Sequence, residues 1–535
     1  MCSTSYAAGP GVDAGSLLRQ NEQELNTKKS APPSPAPAAA APIVQSSADE
    51  ATVQVRGFQF VGNTLLDTDT LNRLLSPFLD RSLTLAQLRE AADMVMNAYR
   101  AAGWTVRAYL PRQEIENGVV TISIVEARFG GAQIQGVPPT RVAPQRLIDM
   151  AEANLAKGQP LHADAIDRTL LLMNDLPGIS VGGNLVAGAQ EGETNLALDA
   201  VDTAAFAGTI AIDNQGSRST GAERLSASLA INSPARLGDA LVLNGFKTRG
   251  IDYLRAGYTV PLGYQGWRVG VHASNLTYRV ISSDFASLDA HGSARTAGME
   301  LSYPLYRGQM QNLNVVLGYD DKAFDNASSG SSKAYDMKVY TIALNGNRID
   351  SWGGGGGTSA GLILTSGFNG SSDSRYTKLN LNLSRLQAVT RDLSLYAALS
   401  TQTANRNLDS SEKLYLGGFS SVRAYPSSEG GASEGSLITI ELRKSLVHKW
   451  SLNGFYDYGR IRVNHDNAVS SPANPNSYQL DGYGIAIAWN PLPGTEIKCT
   501  VARRTGDNPA ALASGTDADG TKKITRVWLS AGIAF

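Results

Sequence analysis

"TRVWLSAGIAF", residues 525–535, alternates without a break. Val527, Leu529, Ala531, Ile533 and Phe535 fall on one face, and Arg526, Trp528, Ser530 and Gly532 on the other. Successive side chains of a strand point to opposite faces, so this segment is a strand with one apolar face and one small or polar face. The same period runs back along the chain to about residue 205, in "RLSASLAI", "DALVLNGF", "YLRAGYTV", "WRVGVHAS", "NLNVVLGY", "KLNLNLSRL" and "LSLYAALS". Clusters of Gly, Asn, Asp and Ser separate these segments. About sixteen strands fit, each near the roughly 9–11 residues that a tilted transmembrane strand needs. Apolar outward with small and polar residues inward is what a barrel in lipid requires, because closure satisfies every backbone group. A soluble sandwich or solenoid also alternates, but its apolar residues must face a shared core. Residues 205–535 are therefore read as a transmembrane β-barrel.

Composition agrees with many strands and tight turns: 54 of 535 residues are Gly, against a usual share of roughly 7%. Formal net charge is −1, so no basic face marks a nucleic-acid partner. Cys2 and Cys499 form no CxxC, and Cys499 in "EIKCTVA" alternates with Lys498 and Thr500 as an apolar-face residue. The five histidines are scattered without metal-ligand spacing, so neither a metal nor another cofactor is expected. No apolar run reaches the ~18–20 residues of a transmembrane helix, which leaves barrel strands unaffected. No basic-then-apolar signal peptide opens the sequence, which points to a processed form or a cytoplasmic protein. Cys2 has no apolar segment before it to support lipidation.

Upstream of the strands the pattern changes. After a flexible start, 1–12, residues 13–26, "DAGSLLRQNEQELN", read as a short polar helix that Asp13 caps. Leu17, Leu18 and Leu25 are its large apolar residues, and Arg19 and Glu22 belong to its polar majority. Such a helix buries little and belongs on a surface or in a wet cavity. A Pro/Ala-rich linker, 27–50, follows, extended enough to hold the helix far from the next domain. Residues 51–128 read as a small β-α-α-β-β unit. Leu71, Leu74, Leu75 and Phe78 line one helix, and Leu88, Ala92, Val95 and Tyr99 line a second that Thr84 caps and Gly103 ends. The order recurs over 129–204: "AQIQG" echoes "FQFVG", with Gly136 matching Gly62. One α+β domain without a repeat is the alternative.

The stretch 412–445, "EKLYLGGFSSVRAYPSSEGGASEGSLITIELRKS", sets Arg423 in an otherwise uncharged Gly/Ser run. By the barrel rule "SLITIEL" sends Ile438, Ile440 and Leu442 to lipid, and Thr439 and Glu441 to the lumen. The next strand, "WSLNGFYDYGRI", sends Leu452, Tyr456 and Tyr458 outward, and Asn453, Phe455, Asp457 and Gly459 inward. The segment 417–434 is long enough to fold back inside, where Arg423 can reach Asp457 in a bidentate pair. In a wet lumen that pair is worth only about 1 kcal/mol. The alternative is a surface loop whose arginine meets solvent.

"SVRAYP" resembles the Val-Arg-Gly-Tyr/Phe loop motif, and "FYDYG" the Phe-x-Asp-x-Gly strand motif, of the outer-membrane transporters of two-partner secretion (TpsB proteins), the haemolysin and filamentous-haemagglutinin secretion proteins. "AIDNQGSRSTGAERLSASLAINSP" resembles their first barrel hairpin, with Asp213, Asn214, Gly216 and Gly221 at family positions. The resemblance implies a plug helix, a linker, two POTRA (polypeptide-transport-associated) domains and a sixteen-stranded barrel. It implies type V export of one large β-rich exoprotein, a β-helical TpsA partner, from periplasm to cell surface without nucleotide hydrolysis. Partners would be that exoprotein, outer-membrane lipid, and the periplasmic chaperones and barrel-assembly machinery that insert the barrel; nucleic acid is not among them. Arg423 and Asp457 would anchor the lumenal loop, with Gly417, Gly418, Val422, Ala424, Tyr425, Glu441, Phe455 and Gly459 around them. Ala424 departs from the family's Gly, and its methyl restricts the backbone. The competing functions are an outer-membrane insertase of the same superfamily, which usually carries more POTRA domains and no plug helix, and a porin, which needs no α/β repeats. An enzyme lacks support: there is no GxSxG, HExxH or phosphate loop, and "DSWGGGGGTSAG" reads as a turn entering a strand.

Overall fold

The computed structural model describes residues 12–29, 52–370, 372–467, 475–512 and 514–535, with the helix side chains described as far as Glu24. The expected flexible start, apart from Val12, and the linker from residue 30 to residue 50 lie outside the described residues.

Sixteen antiparallel strands close into a barrel that opens with Phe206–Asp213 and ends with Thr525–Ala534. Each strand pairs with its sequence neighbours, and the last pairs with the first, Ser530 opposite Asp213 and Ala534 opposite Thr209. Phe535 then exchanges both backbone hydrogen bonds with Gly208, so the chain terminus completes the ring. The opening stretch faces as its alternation requires. Val527 and Leu529 are 48% and 52% exposed on the outside, while Trp528, at 6%, points inward. Ile438, Ile440, Leu442, Leu452 and Tyr456 likewise lie exposed, and Glu441, Phe455 and Asp457 are buried inside. Cys499 sits on the outward face between the exposed Ile497 and Val501. The glycine run at 353–357 is a turn entering a strand: Gly353, Gly354 and Gly355 take positive φ before Gly356–Asn369 begins.

The two α/β modules share one topology. In the first, Gly57–Val61 runs parallel to Val119–Glu126, which pairs antiparallel with Val106–Tyr109. In the second, Arg128–Gln135 runs parallel to Glu193–Asp202, which pairs antiparallel with Ile179–Ala187. Gly62 and Gly136, at the matching ends of the first strands, both have positive φ. The helices Thr68–Leu75 and Leu85–Ala101 bury Leu71, Leu75, Leu88, Ala92, Val95 and Tyr99, and Thr84 caps the longer one in a reciprocal capping box with Gln87. The expected β-α-α-β-β order needs one correction: its first β element, "VQVRGFQFVGN", is two strands. Thr52–Val55 leaves the main sheet and pairs with Arg81–Thr84, and the break falls where the Arg56 and Gly57 amides both donate to the Gly118 carbonyl.

Glu126 ties the first module together. Its carboxylate accepts from the Thr64 amide at 2.7 Å, the Leu65 amide at 2.8 Å, the Tyr99 hydroxyl at 3.1 Å and the Thr64 hydroxyl. Burial alone would raise its pKa. The hydrogen bonds from Thr64, Leu65 and Tyr99 outweigh that and hold it below the usual glutamate value. A depressed carboxylate stabilises fully at neutral pH, and the contribution fades as pH falls through the lowered value. Glu126→Ala is expected to cost about 2 kcal/mol or more. The check is limited proteolysis of the full-length protein in membranes, in which cleavage within 52–128 accelerates at neutral pH and the difference from wild type narrows in acid.

The second module docks on the barrel's near rim. Arg307 grips Asp175 through two bonds of 2.9 and 2.8 Å, Arg146 donates to the Gly263 carbonyl at 2.9 Å, and Asn154 donates to the Tyr264 carbonyl at 3.0 Å. Arg168 adds a bond to the Pro304 carbonyl at 3.1 Å.

Candidate functional site

The barrel interior is occupied by two segments of the same chain. The first is the helix Ala14–Lys29, three residues longer at its end than the pattern suggested. Asp13 caps it by accepting from the Ser16 amide at 2.7 Å, while its own amide donates to the Ser16 hydroxyl at 3.0 Å. The expectation that this helix buries little is overturned at its first turn. Ala14, Leu17 and Leu18 sink into an apolar cluster with Ile251, Tyr253, Leu276, Tyr278, Phe324 and Met337 of the inner wall. Short apolar side chains crowd the first turn, and the wall there carries aromatics instead of the usual polar residues. Beyond that turn the helix is polar: Glu22 faces Lys322 at 3.5 Å, and Glu24 meets Arg224 at 2.7 Å. Arg19 donates to the Lys413 carbonyl at 3.2 Å, and only the backbone of Leu25 is described.

The second segment joins Leu393–Ala404 to Glu434–Ser445 and holds a small hairpin, Leu414–Leu416 against Gly430–Ala432. Gly417 and Gly418 turn it with φ of 87° and 89°, and a Cβ on Gly417 would stand 2.2 Å from the Pro426 carbonyl oxygen. Only glycine fits that position. The loop then carries Arg423 to the inner wall. The Arg423 Nε donates to Asp457 Oδ2 at 2.8 Å and Nη2 to Oδ1 at 2.7 Å, which is the fork the spacing suggested. Nη1 reaches Glu441 at 2.7 Å, and the guanidinium lies over the Phe455 ring, 3.4 Å from its centroid. Glu441 in turn accepts from Arg443 at 2.8 Å, and Trp528 donates to the Arg423 carbonyl at 2.8 Å.

Two expectations about this loop change. The ion pair is not in a wet lumen: Asp457 is 1% exposed and Arg423 is buried with it, so removing one partner is far costlier than an exposed pair would suggest. The methyl of Ala424 is no obstacle, because that residue keeps a negative φ and Gly482 leaves the space its side chain fills. Val422 and Tyr425 are buried beside Leu416 and Phe455, and Gly459 lets Leu416 and Val422 approach its strand.

Helix and loop also grip each other. Gly15 lies against Ser410 and Ser411, Ser410 donates to Asp13 at 2.8 Å, and Ser428 donates to Gln20 at 2.8 Å. Beneath them Glu412 is buried between Lys322 at 3.1 Å and Lys378 at 2.6 Å. These three residues did not emerge from the sequence. Their signal was available in the rule that exposed Glu441, since Lys378 is a charge at an inward position beside the outward Leu379. At the far rim Asp517 and Asp519 hold Arg526 at 2.8 and 2.9 Å, and Glu429 accepts from the Ala518 amide at 2.9 Å, so the last loop fastens the lumenal one.

A sixteen-stranded barrel that holds its own helix and an arginine-bound loop inside, with an α/β module on its near rim, is the architecture of an outer-membrane pore for polypeptide. The model of the haemolysin secretion/activation protein family (ShlB/FhaC/HecB) matches residues 192–485, and that of the ShlB-type POTRA domain matches residues 53–127. The chain belongs to that family, the two-partner secretion transporters, whose pores export a partner protein. It is 26% identical to the heme/hemopexin transporter HuxB of Haemophilus influenzae strain 86-028NP, over 95% of this chain and 94% of that one. It is 27% identical to the outer membrane transporter CdiB of Dickeya dadantii, over 72% of each. The solved structure of CdiB from Escherichia coli superposes with a TM-score of 0.72 at 20% identity, covering 99% of this chain and 100% of that one.

Proposed function

We propose that this chain exports one large β-helical exoprotein of its own, taking it from the periplasm through the lumen once the helix leaves, past a 417–434 loop that Arg423 keeps in place. The observation that carries this reading is that the helix is removable: it hangs on side-chain contacts inside the barrel and belongs to none of its strands. In this reading the two α/β modules stand in the periplasm and offer sheet edges to which extended polypeptide adds as a strand. No step is catalytic, and passenger folding outside supplies the drive. The barrel's own insertion depends on periplasmic chaperones and the barrel-assembly machinery.

Comparing surface and supernatant proteins of the native bacterium with and without this gene tests the reading. Loss of a single large secreted protein, with other barrel proteins unchanged, is the expected result and identifies the cargo. Broad depletion of barrel proteins would make the chain an insertase instead.

A further inference from the structure

We propose that the lumen wall made by four neighbouring strands, Gln311–Ser328, Ser331–Asp350, Gly356–Asn369 and Ser374–Ala388, is an amide track along which the backbone of an exported polypeptide slides. The inference rests on the export reading and names the surface that export uses. Register puts the residues in one row: Asn314 stands opposite Asn345, Asn345 opposite Gly361, and Gly361 opposite Asn382. All of them face inward, because Leu317, Leu344, Leu362 and Leu383 are exposed on the outer face. The amides of Asn314, Asn345 and Asn382 make no hydrogen bond within the described chain, so their donors and acceptors are open to whatever fills the lumen. Gly361 keeps the row open, since a Cβ there would lie 2.9 Å from Asn345 Oδ1.

The row also repeats along the pore. Asn312 and Asn347, which bond to each other at 2.9 Å, lie one inward step away on their strands, and Asn380 lies one step from Asn382. Inward positions two residues apart are separated by about 6.7 Å along a strand, which is the spacing of backbone groups on one side of an extended polypeptide. A carboxamide offers both donor and acceptor and carries no charge. It therefore meets any passing backbone equally and exchanges with water at little net cost, where fixed charges would hold some sequences and repel others. The charged lumen residues Arg224, Arg255, His272 and Glu300 lie on other strands, and Asp320, Lys322 and Lys378 share strands with the row but stand beyond it, the two lysines engaged by Glu412.

Position argues the same way. A cavity of about 520 Å³ under the second α/β module is lined by Arg146, Met150 and Leu172 of that module and by Asn312, Asn314, Asn345 and Asn347 of the barrel. The main lumen cavity, about 1130 Å³, takes up Asn314, Asn345 and Asn347 again and continues to Asn380 and Asn382. One amide surface thus leads from the module that would deliver polypeptide into the pore.

The test uses the full-length protein in planar bilayers and a synthetic Gly/Ser/Thr polypeptide with a lysine leader, driven in by voltage during open intervals. Asn314→Leu/Asn345→Leu/Asn382→Leu keeps side-chain size but removes the hydrogen-bonding groups, and is expected to shorten blockade dwell about fivefold with unblocked conductance unchanged. Gly361→Ala sets a methyl against Asn345 Oδ1, crowds the row and is expected to shorten it as well. Equal dwell times in wild type and both variants overturn the track alone. Absence of any blockade in wild type overturns the track together with the export reading.

Discussion

Arg423→Ala is expected to abolish export while leaving the barrel folded in the membrane. Its loss leaves Asp457, 1% exposed, and Glu441 as two carboxylates facing each other without their shared cation. Breaking a buried ion pair from one side costs about 3–5 kcal/mol, enough to shift a loop held by that contact from docked to undocked at least about a hundredfold. The strands survive, because the ladder that pairs Thr439 with Asp457 and Glu441 with Phe455 is made of backbone. Arg423→Lys is not expected to rescue, since one ammonium cannot bridge both Asp457 oxygens, reach Glu441 and stack on Phe455 together. Secreted exoprotein measures the first effect, and heat-modifiable migration of the barrel measures the second. Normal secretion by the Ala variant would refute the anchor, and loss of the folded barrel band would mean that the arginine supports the whole wall.

The barrel and its two modules were legible because each has a period that a residue string displays. Alternation in "TRVWLSAGIAF" fixes which side faces lipid, and once that is known Glu441 and Asp457 have only the interior to face. Arg423 was legible as an arginine without local partners. Its degree of burial was not, because Glu441, Phe455 and Trp528 come to it from three separate strands, and no local pattern encodes that convergence. The same limit hid Glu412 between Lys322 and Lys378, which lie far apart in the chain. The helix misled for a different reason. Two adjacent leucines in a polar segment look like too little to bury, and their partners are aromatic side chains on inward positions where polar residues are the usual occupants.

That helix sets the second large effect: deleting residues 1–29 is expected to raise single-channel conductance severalfold, and Leu17→Asp/Leu18→Asp is expected to do the same in the full chain. A helix with its side chains is a cylinder of about 10 Å, so its departure frees much of the lumen. Which contacts hold it decides how to evict it. The ion pairs from Glu22 and Glu24 are secondary, because Lys322 keeps Glu412 and Arg224 keeps Asp213 as partners when the two glutamates are neutralised. The leucines, with Leu18 1% exposed, contribute about 1.5–3 kcal/mol each by burial. A carboxylate in their place would sit among Tyr253, Leu276 and Phe324. Docking is therefore governed by the first turn, and Glu22→Gln/Glu24→Gln should change conductance much less than the leucine pair. If the charge variants open the pore and the leucine variants do not, the latch is electrostatic and the apolar first turn is incidental. If conductance is unchanged even in the deletion, the helix does not limit the pore, and the lumenal loop held by Arg423 is its sole constriction.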